Sequence, residues 1–292
     1  MKRCSIALLL AALALAACGG DDEPSGRLAL SGGDDEPSGR LVMSAGEAFL
    51  AEDAILLVPV GGGRAERLPR RGWGAELSPD GEQLAYWDSS GIHVAPLRGG
   101  PGRRLPGQPP QREFANAAPA WAPDGERLVF VNGDRLYTIS KDGTGLRLVL
   151  VVRELWPSPQ WSPDGKQILF ESHPSPDEPG TIETVSVDGS GRRRLGRGDS
   201  PRFSPDGKWI AYSTDRDVYV VSAEGGDPRL VVRDGFSPIW SPDGRHLAFG
   251  RYTSCDDEVC SGRAFIVPVA GGNARPLGPT VPDAPGLIGW ID

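Results

Sequence analysis

Five aspartates (Asp80, Asp124, Asp164, Asp206 and Asp243) each stand between a proline and a glycine, and carboxylates in such numbers invite calcium binding or acid–base chemistry. Calcium gathers about six to eight oxygens at one point. These five instead recur at one position of a repeated motif whose lead residues lie 44, 40, 42 and 37 positions apart. A turn role accounts for all of them, and no metal is expected there. Cys255 and Cys260 enclose Asp-Asp-Glu-Val. Two thiols with no neighbouring histidine fall short of a four-ligand zinc site. In an exported chain they are expected to form a disulfide, which would present Asp256, Asp257 and Glu258 as an ordered acidic loop. The three histidines, His93, His173 and His246, fall in different repeats, so neither a metal trio nor a hydrolase triad is expected. The chain has no G-x-S-x-G elbow and no phosphate-binding G-x-x-x-x-G-K-[ST] loop. No catalytic residue, cofactor or metal ion is expected.

The elements that would position these residues follow from the repeat itself. It reads Leu77-Ser78-Pro79-Asp80-Gly81, Trp121-Ala122-Pro123-Asp124-Gly125, Trp161-Ser162-Pro163-Asp164-Gly165, Phe203-Ser204-Pro205-Asp206-Gly207 and Trp240-Ser241-Pro242-Asp243-Gly244. Proline presets φ for the first central turn position, aspartate suits the second, and glycine takes the left-handed position that closes a three-residue hairpin. Apolar runs such as Ile168-Leu169-Phe170 follow as a second strand. Third strands are expected at 92–97, 135–140, 182–187, 218–222 and 264–269, then a second glycine turn and a short outer strand with an Arg-Leu step. Four strands in about forty residues make one propeller blade. The 292 residues include 40 glycines and 28 prolines, which suits an all-β chain of many turns and disfavours helices.

Fragments at the two ends complement each other. Residues 54–60, the glycines at 61–63 and Arg67-Leu68 match a third strand, turn and outer strand. Gly46–Ala51 can supply a second strand, and Leu287-Ile288-Gly289-Trp290 a first. The expected fold is an all-β, six-bladed β-propeller of four-stranded antiparallel blades spanning 46–292, closed by pairing N-terminal strands with a C-terminal strand. The Trp-Ser-Pro-Asp-Gly strand pair resembles the TolB-type β-propeller repeat, and the resemblance covers nearly all of 46–292. Leu77 and Phe203 depart from the aromatic pattern and Ala122 replaces serine, which touches single blades only. TolB also carries an α/β domain before its propeller, so the resemblance is to the repeat and not to the whole protein.

Met1-Lys2-Arg3 and the twelve apolar residues Ile6–Ala17 read as a signal peptide over 1–17. Twelve helical residues rise only about 18 Å, short of a hydrocarbon core of about 30 Å. Leu15-Ala16-Ala17-Cys18 resembles a bacterial lipobox, which implies lipidation of Cys18 and a membrane anchor on the extracytoplasmic side, at the periplasm or the outer surface. Residues 19–31 and 32–44 are tandem copies that begin GGDDEPSGRL, and 18–45 reads as an acidic tether too polar to fold alone.

A net charge of −8 argues against nucleic acid, which needs a basic face. The Pro-Asp-Gly and Gly-Gly turns lie at one end of the strands. The opposite end gathers the longer segments, such as 171–180 and 251–263, with the inter-blade links. Recognition is expected on that variable end, with Arg153, Glu154, Asp199, Arg233, Asp234 and the acidic loop as candidate binding residues. Trp73, Trp156 and Phe236 are candidates for a sugar-binding mouth, though core packing explains them as well. The function so read is a monomeric, non-catalytic propeller scaffold of the cell envelope that binds a protein or peptide. The alternatives are a small-ligand or glycan sensor using the central channel, and a propeller hydrolase or lactonase.

Overall fold

A computed structural model describes residues 40–45, 54–59, 66–71, 73–88, 90–97, 100–110, 118–152, 155–173, 180–255, 260–282 and 286–291. Every regular element among them is a β-strand. Five four-stranded antiparallel sheets are built from consecutive strands. The first blade holds β4 (Trp73–Leu77), β5 (Gln83–Asp88), β6 (Gly91–Pro96) and β7 (Arg103–Arg104). The second holds β8 (Ala120–Trp121), β9 (Arg127–Asn132), β10 (Arg135–Ser140) and β11 (Arg147–Val151). The third holds β12 (Leu155–Trp161), β13 (Gln167–Ser172), β14 (Thr181–Ser186) and β15 (Arg193–Arg197). The fourth holds β16 (Asp199–Phe203), β17 (Trp209–Thr214), β18 (Asp217–Ser222) and β19 (Arg229–Val232). The fifth holds β20 (Phe236–Trp240), β21 (His246–Cys255), β22 (Cys260–Pro268) and β23 (Arg275–Pro282). The molecule is an all-β propeller of four-stranded antiparallel blades.

The sequence leads one to expect six blades, whereas five are built in full from consecutive strands among the described residues. The remaining sheet is described by its backbone pairing, in the order β24 (Gly286–Ile291), β1 (Arg40–Ala45), β2 (Ala54–Pro59), β3 (Glu66–Arg71). Its second strand differs from expectation. Arg40–Ala45 fills that place, inside the segment read as tether, while Gly46–Ala51 lies outside the described residues. The apolar run Leu41-Val42-Met43 supplies what a strand needs and the acidic half of the same tandem copy does not.

The Pro-Asp-Gly turns form by the expected chemistry. Their glycines, Gly81, Gly125, Gly165, Gly207 and Gly244, hold φ between 67° and 71°, where a β-carbon is costly. In the third blade, Ser162 Oγ donates to Asp164 Oδ1 at 2.6 Å and accepts the Gln167 amide at 2.9 Å. Asp164 Oδ1 also accepts the Lys166 amide at 3.1 Å. The second blade, with Ala122 in the serine position, uses a different clasp: Arg127 Nε and Nη2 reach Asp124 Oδ2 at 3.1 and 2.9 Å.

The core lies between blades. One buried cluster joins Ala85, Trp87 and Ile92 of the first blade to Trp121, Leu128 and Phe130 of the second. Another joins Val129, Val131 and Leu136 to Trp161, Ile168 and Phe170. The middle strands are covered on both faces, so they read as unbroken apolar runs without polar alternation.

One segment departs from its expected form. Within 251–263, read as a long loop, residues 251–255 and 260–263 extend the β21–β22 hairpin, with Arg251 opposite Arg263 and Tyr252 opposite Gly262.

Candidate functional site at the link end of the inner strands

Four of the inner strands, β4, β12, β16 and β20, start irregularly. The register shifts between Trp73 and Glu76, Trp156 and Gln160, Asp199 and Arg202, and Phe236 and Ile239. Such bulges turn side chains away from the ladder and concentrate at sheet rims and functional sites. In β16 and β20 the bulge holds a serine at positive φ, Ser200 at 52° and Ser237 at 49°, a conformation that costs energy and persists where its surroundings enforce it. Their hydroxyl oxygens are 3.5 Å apart across neighbouring blades.

Polar groups meet on these inner strands. Glu76 of β4 accepts the Trp121 amide through Oε2 at 3.1 Å. Burial pushes its carboxyl up to about 8, against the opposing pull of Arg202 and of the Trp121 hydrogen bond. Arg202 of β16 therefore acts electrostatically on a residue three blades away. Burial draws the Arg202 guanidinium below its ordinary range, while Glu76 and Glu171 hold it up. Its Nη1 donates to Pro201 O at 3.2 Å, and its buried Nε has no hydrogen-bond partner among the described residues.

A second group lies at the junction of the third and fourth blades. Glu171 near the end of β13, His173 just beyond it, and Asp199 at the start of β16 bring their donor atoms within 4.8 Å of one another. His173 Nε2 is 2.5 Å from Glu171 Oε1 and 3.8 Å from Asp199 Oδ1. Glu171 Oε2 accepts the Ser200 amide at 2.8 Å. Asp199 is raised to about 6, by burial first and then by the Glu171 charge, with His173 opposing. The link and the middle turn thus share one end of the blades, as the strand order requires.

Asp199 is the sequence candidate that the structure places in such a cluster. Glu171 and His173 escaped notice as site residues because each looks like a member of a middle loop, and only blade packing joins them to Asp199. Arg233 and Asp234 follow β19 at the same end. Arg233 Nη1 lies 3.7 Å from Asp217 Oδ2, the Asp234 amide donates to Asp217 Oδ1 at 3.1 Å, and Arg251 binds both backbone carbonyls. These charges are tied together locally. Phe236 packs on Tyr252 of the extended hairpin, with ring centroids 4.8 Å apart, so packing accounts for it. The β21–β22 register sets the backbone of Cys255 opposite that of Cys260. Cys18, Arg153, Glu154, Asp256, Asp257 and Glu258 lie outside the described residues, as does the lipobox; Trp73 and Trp156 are described in backbone alone.

The fold is shared with solved propellers. A crystal structure of TolB from Acinetobacter baumannii superposes with a TM-score of 0.66 at 19% identity, covering 87% of this chain and 66% of that one. The chain therefore spans just under two thirds of that protein's length. A putative TolB from Agrobacterium tumefaciens gives 0.66 at 20% identity, covering 82% of this chain and 94% of its own. A structure of a nidogen/laminin complex gives 0.59 at 15% identity, covering 82% of this chain and 93% of the matched one. At these identities the likeness concerns architecture. No family model and no curated protein matches the chain.

Proposed function

We propose that this chain is a non-catalytic propeller scaffold of the bacterial cell envelope, anchored through a lipidated Cys18, that binds a protein or peptide on the end carrying the middle turns and inter-blade links. The observation that carries this reading is the contrast between the two ends. One is closed by repeated Ser-Pro-Asp-Gly clasps. The other gathers Glu171, His173, Asp199, Arg233 and the β21–β22 hairpin, a varied set of charges on a rigid frame. The nidogen/laminin complex shows that a propeller of this shape occurs in a protein–protein assembly.

Six-bladed closure belongs to the same reading. It is supported by the pairing of β24 with β1 and by inner strands that touch in the cyclic order β4, β8, β12, β16, β20, β24 and back to β4. A Cys255–Cys260 disulfide would stiffen the hairpin. Directly opposed strand residues have Cα atoms about 4.5–5.5 Å apart, inside the range a disulfide spans.

The test is chemical crosslinking in envelopes of the native host, followed by binding of the recovered partner to purified protein. Removing residues 253–262, or changing Arg233→Glu, is expected to weaken that binding tenfold or more. Equal affinity for the intact and altered proteins would place recognition elsewhere and reject this assignment of the binding end.

A further inference from the structure

The junction of the third and fourth blades holds a donor set that turn or core formation does not require. Two carboxylates and an imidazole converge there from different sheets, and Glu171 and His173 are buried. Like charges brought together out of water oppose folding unless a positive charge joins them; Arg202 is one such charge, acting on Glu171, and an ion bound between the carboxylates would be a nearer one.

The backbone is cut away to permit the convergence. A β-carbon on Gly180 would stand 2.7 Å from Asp199 Oδ1, 3.0 Å from Glu171 Oε1 and 2.6 Å from the Gly198 carbonyl oxygen. Both carboxylates therefore crowd over the one residue at that point without a side chain. The Ser200 amide, held by its positive-φ bulge, takes Glu171 Oε2 at 2.8 Å. That hydrogen bond turns Oε1 toward His173 and Asp199. Ligating carboxylates in metal sites are oriented by outer hydrogen bonds of this kind.

We infer that Glu171 Oε1, His173 Nε2 and Asp199 Oδ1 bind a divalent transition-metal ion of the zinc class, with a fourth position open to water or to an incoming ligand. The donor chemistry selects the class. An imidazole with two carboxylates suits zinc and its first-row neighbours, whereas calcium and magnesium take oxygen shells of six or more. With metal–ligand bonds of about 2.1 Å, tetrahedral ligands stand roughly 3.4 Å apart. The 3.8 Å between His173 Nε2 and Asp199 Oδ1 already fits. The shorter His173–Glu171 contact opens by about an ångström as the ion replaces the hydrogen bond between them. Asp199 opens β16, so an ion here would pin the fourth blade's inner strand to the third blade.

Purified full-length protein, stripped with a chelator, is titrated with zinc chloride by calorimetry and by thermal melting, with cobalt(II) as a visible-absorption probe. One equivalent should bind, and zinc at about a hundred times its dissociation constant should raise Tm by roughly 5 °C. Asp199→Asn, at a half-exposed position that tolerates the change, should weaken binding at least tenfold, and His173→Gln should remove the cobalt band. A Cys255→Ser, Cys260→Ser double variant should bind as the parent does. Absence of saturable one-equivalent binding would overturn the inference. So would binding that survives Asp199→Asn unchanged, or that disappears with the thiols.

Discussion

Trp161 Nε1 donates to the backbone carbonyl of Ala120 at 3.2 Å, from the inner strand of the third blade to that of the second. The same bond recurs from Trp121 to Glu76 at 3.3 Å and from Trp240 to Arg202 at 3.0 Å. In each case the acceptor is the residue just before the lead position of the preceding blade. The tryptophan of the repeat is therefore both an apolar wedge and a hydrogen-bonded strap between neighbours. Leu77 and Phe203, at the same position, have no ring N–H to give.

Trp161→Phe keeps most of the wedge and removes the strap. A buried hydrogen bond and the lost volume together are expected to cost about 1–2 kcal/mol, read as a lower urea midpoint. Trp209→Phe, at an exposed ring, should stay within about 0.5 kcal/mol of the parent. Equal losses at the two sites would show that the strap contributes nothing particular.

The serine clasp and the arginine clasp should respond differently. Ser162→Ala leaves the Gln167 amide and one Asp164 oxygen without the hydroxyl they share, a loss of about 1 kcal/mol. Ala122→Ser should be nearly neutral in a thermal melt, because Arg127 already holds Asp124. Acid sharpens the comparison. The Ser162 hydroxyl, then the Lys166 amide, lower the Asp164 carboxyl from its ordinary 3.8. A lowered carboxyl stabilises the fold above that value and loses the contribution as pH falls through the folded one. The Ser162→Ala protein should accordingly show a shallower decline in Tm below pH 4, and an unchanged decline would remove the clasp from the explanation.

Glu76 gives the opposite slope. Its carboxyl rises from 4.5 to about 8 on folding, chiefly through burial. Between those values the folded chain holds a proton that the unfolded chain has released. The stabilisation is complete below about 4.5 and fades as pH rises to about 8, with a span of order 3–5 kcal/mol. Glu76→Gln keeps an acceptor for the Trp121 amide and cannot ionise. Its Tm should fall less than the parent's across that window, the slope that remains below about pH 6 belonging to Asp199, and should exceed the parent's at pH 8. A parent protein whose Tm does not fall between pH 5 and 8 would contradict the buried neutral carboxyl.

What the sequence discloses depends on how local the cause is. The Ser162-Pro163-Asp164-Gly165 turn closes within a few residues, so its geometry can be read from the letters. The strands that follow are legible because their faces are covered on both sides. The Glu171–His173–Asp199 cluster is not, since its members meet only when two blades pack and Gly180 leaves room. Arg40–Ala45 was hidden by its place in a polar tandem copy, although the same residues pair with both β2 and β24. Residues 251–255 and 260–263 look like parts of a loop because Ser, Cys and Gly dilute the alternation; cross-strand register, with Arg251 facing Arg263, makes them strands of a hairpin.

That dependence on distant pairing is strongest where the chain ends meet. Arg40 pairs with Ile291 and Leu41 with Trp290 on one side, while the same strand faces Val58 and Leu57 on the other. Removing residues 286–292 would strip the inner strand from this sheet, expose the edge of β1, and leave β4 and β20 without the neighbour that stands between them. Open edges pair with other chains, so the shortened protein should melt at least about 10 °C lower and elute in part as oligomers in size-exclusion chromatography. Extending the chain past Asp292 with a flexible tail tests the same point without removing the strand, and should leave both measurements as they were. If the shortened protein instead keeps its melting temperature and elutes as a single monomer, the five consecutive blades are stable on their own and the terminal sheet does not close the ring.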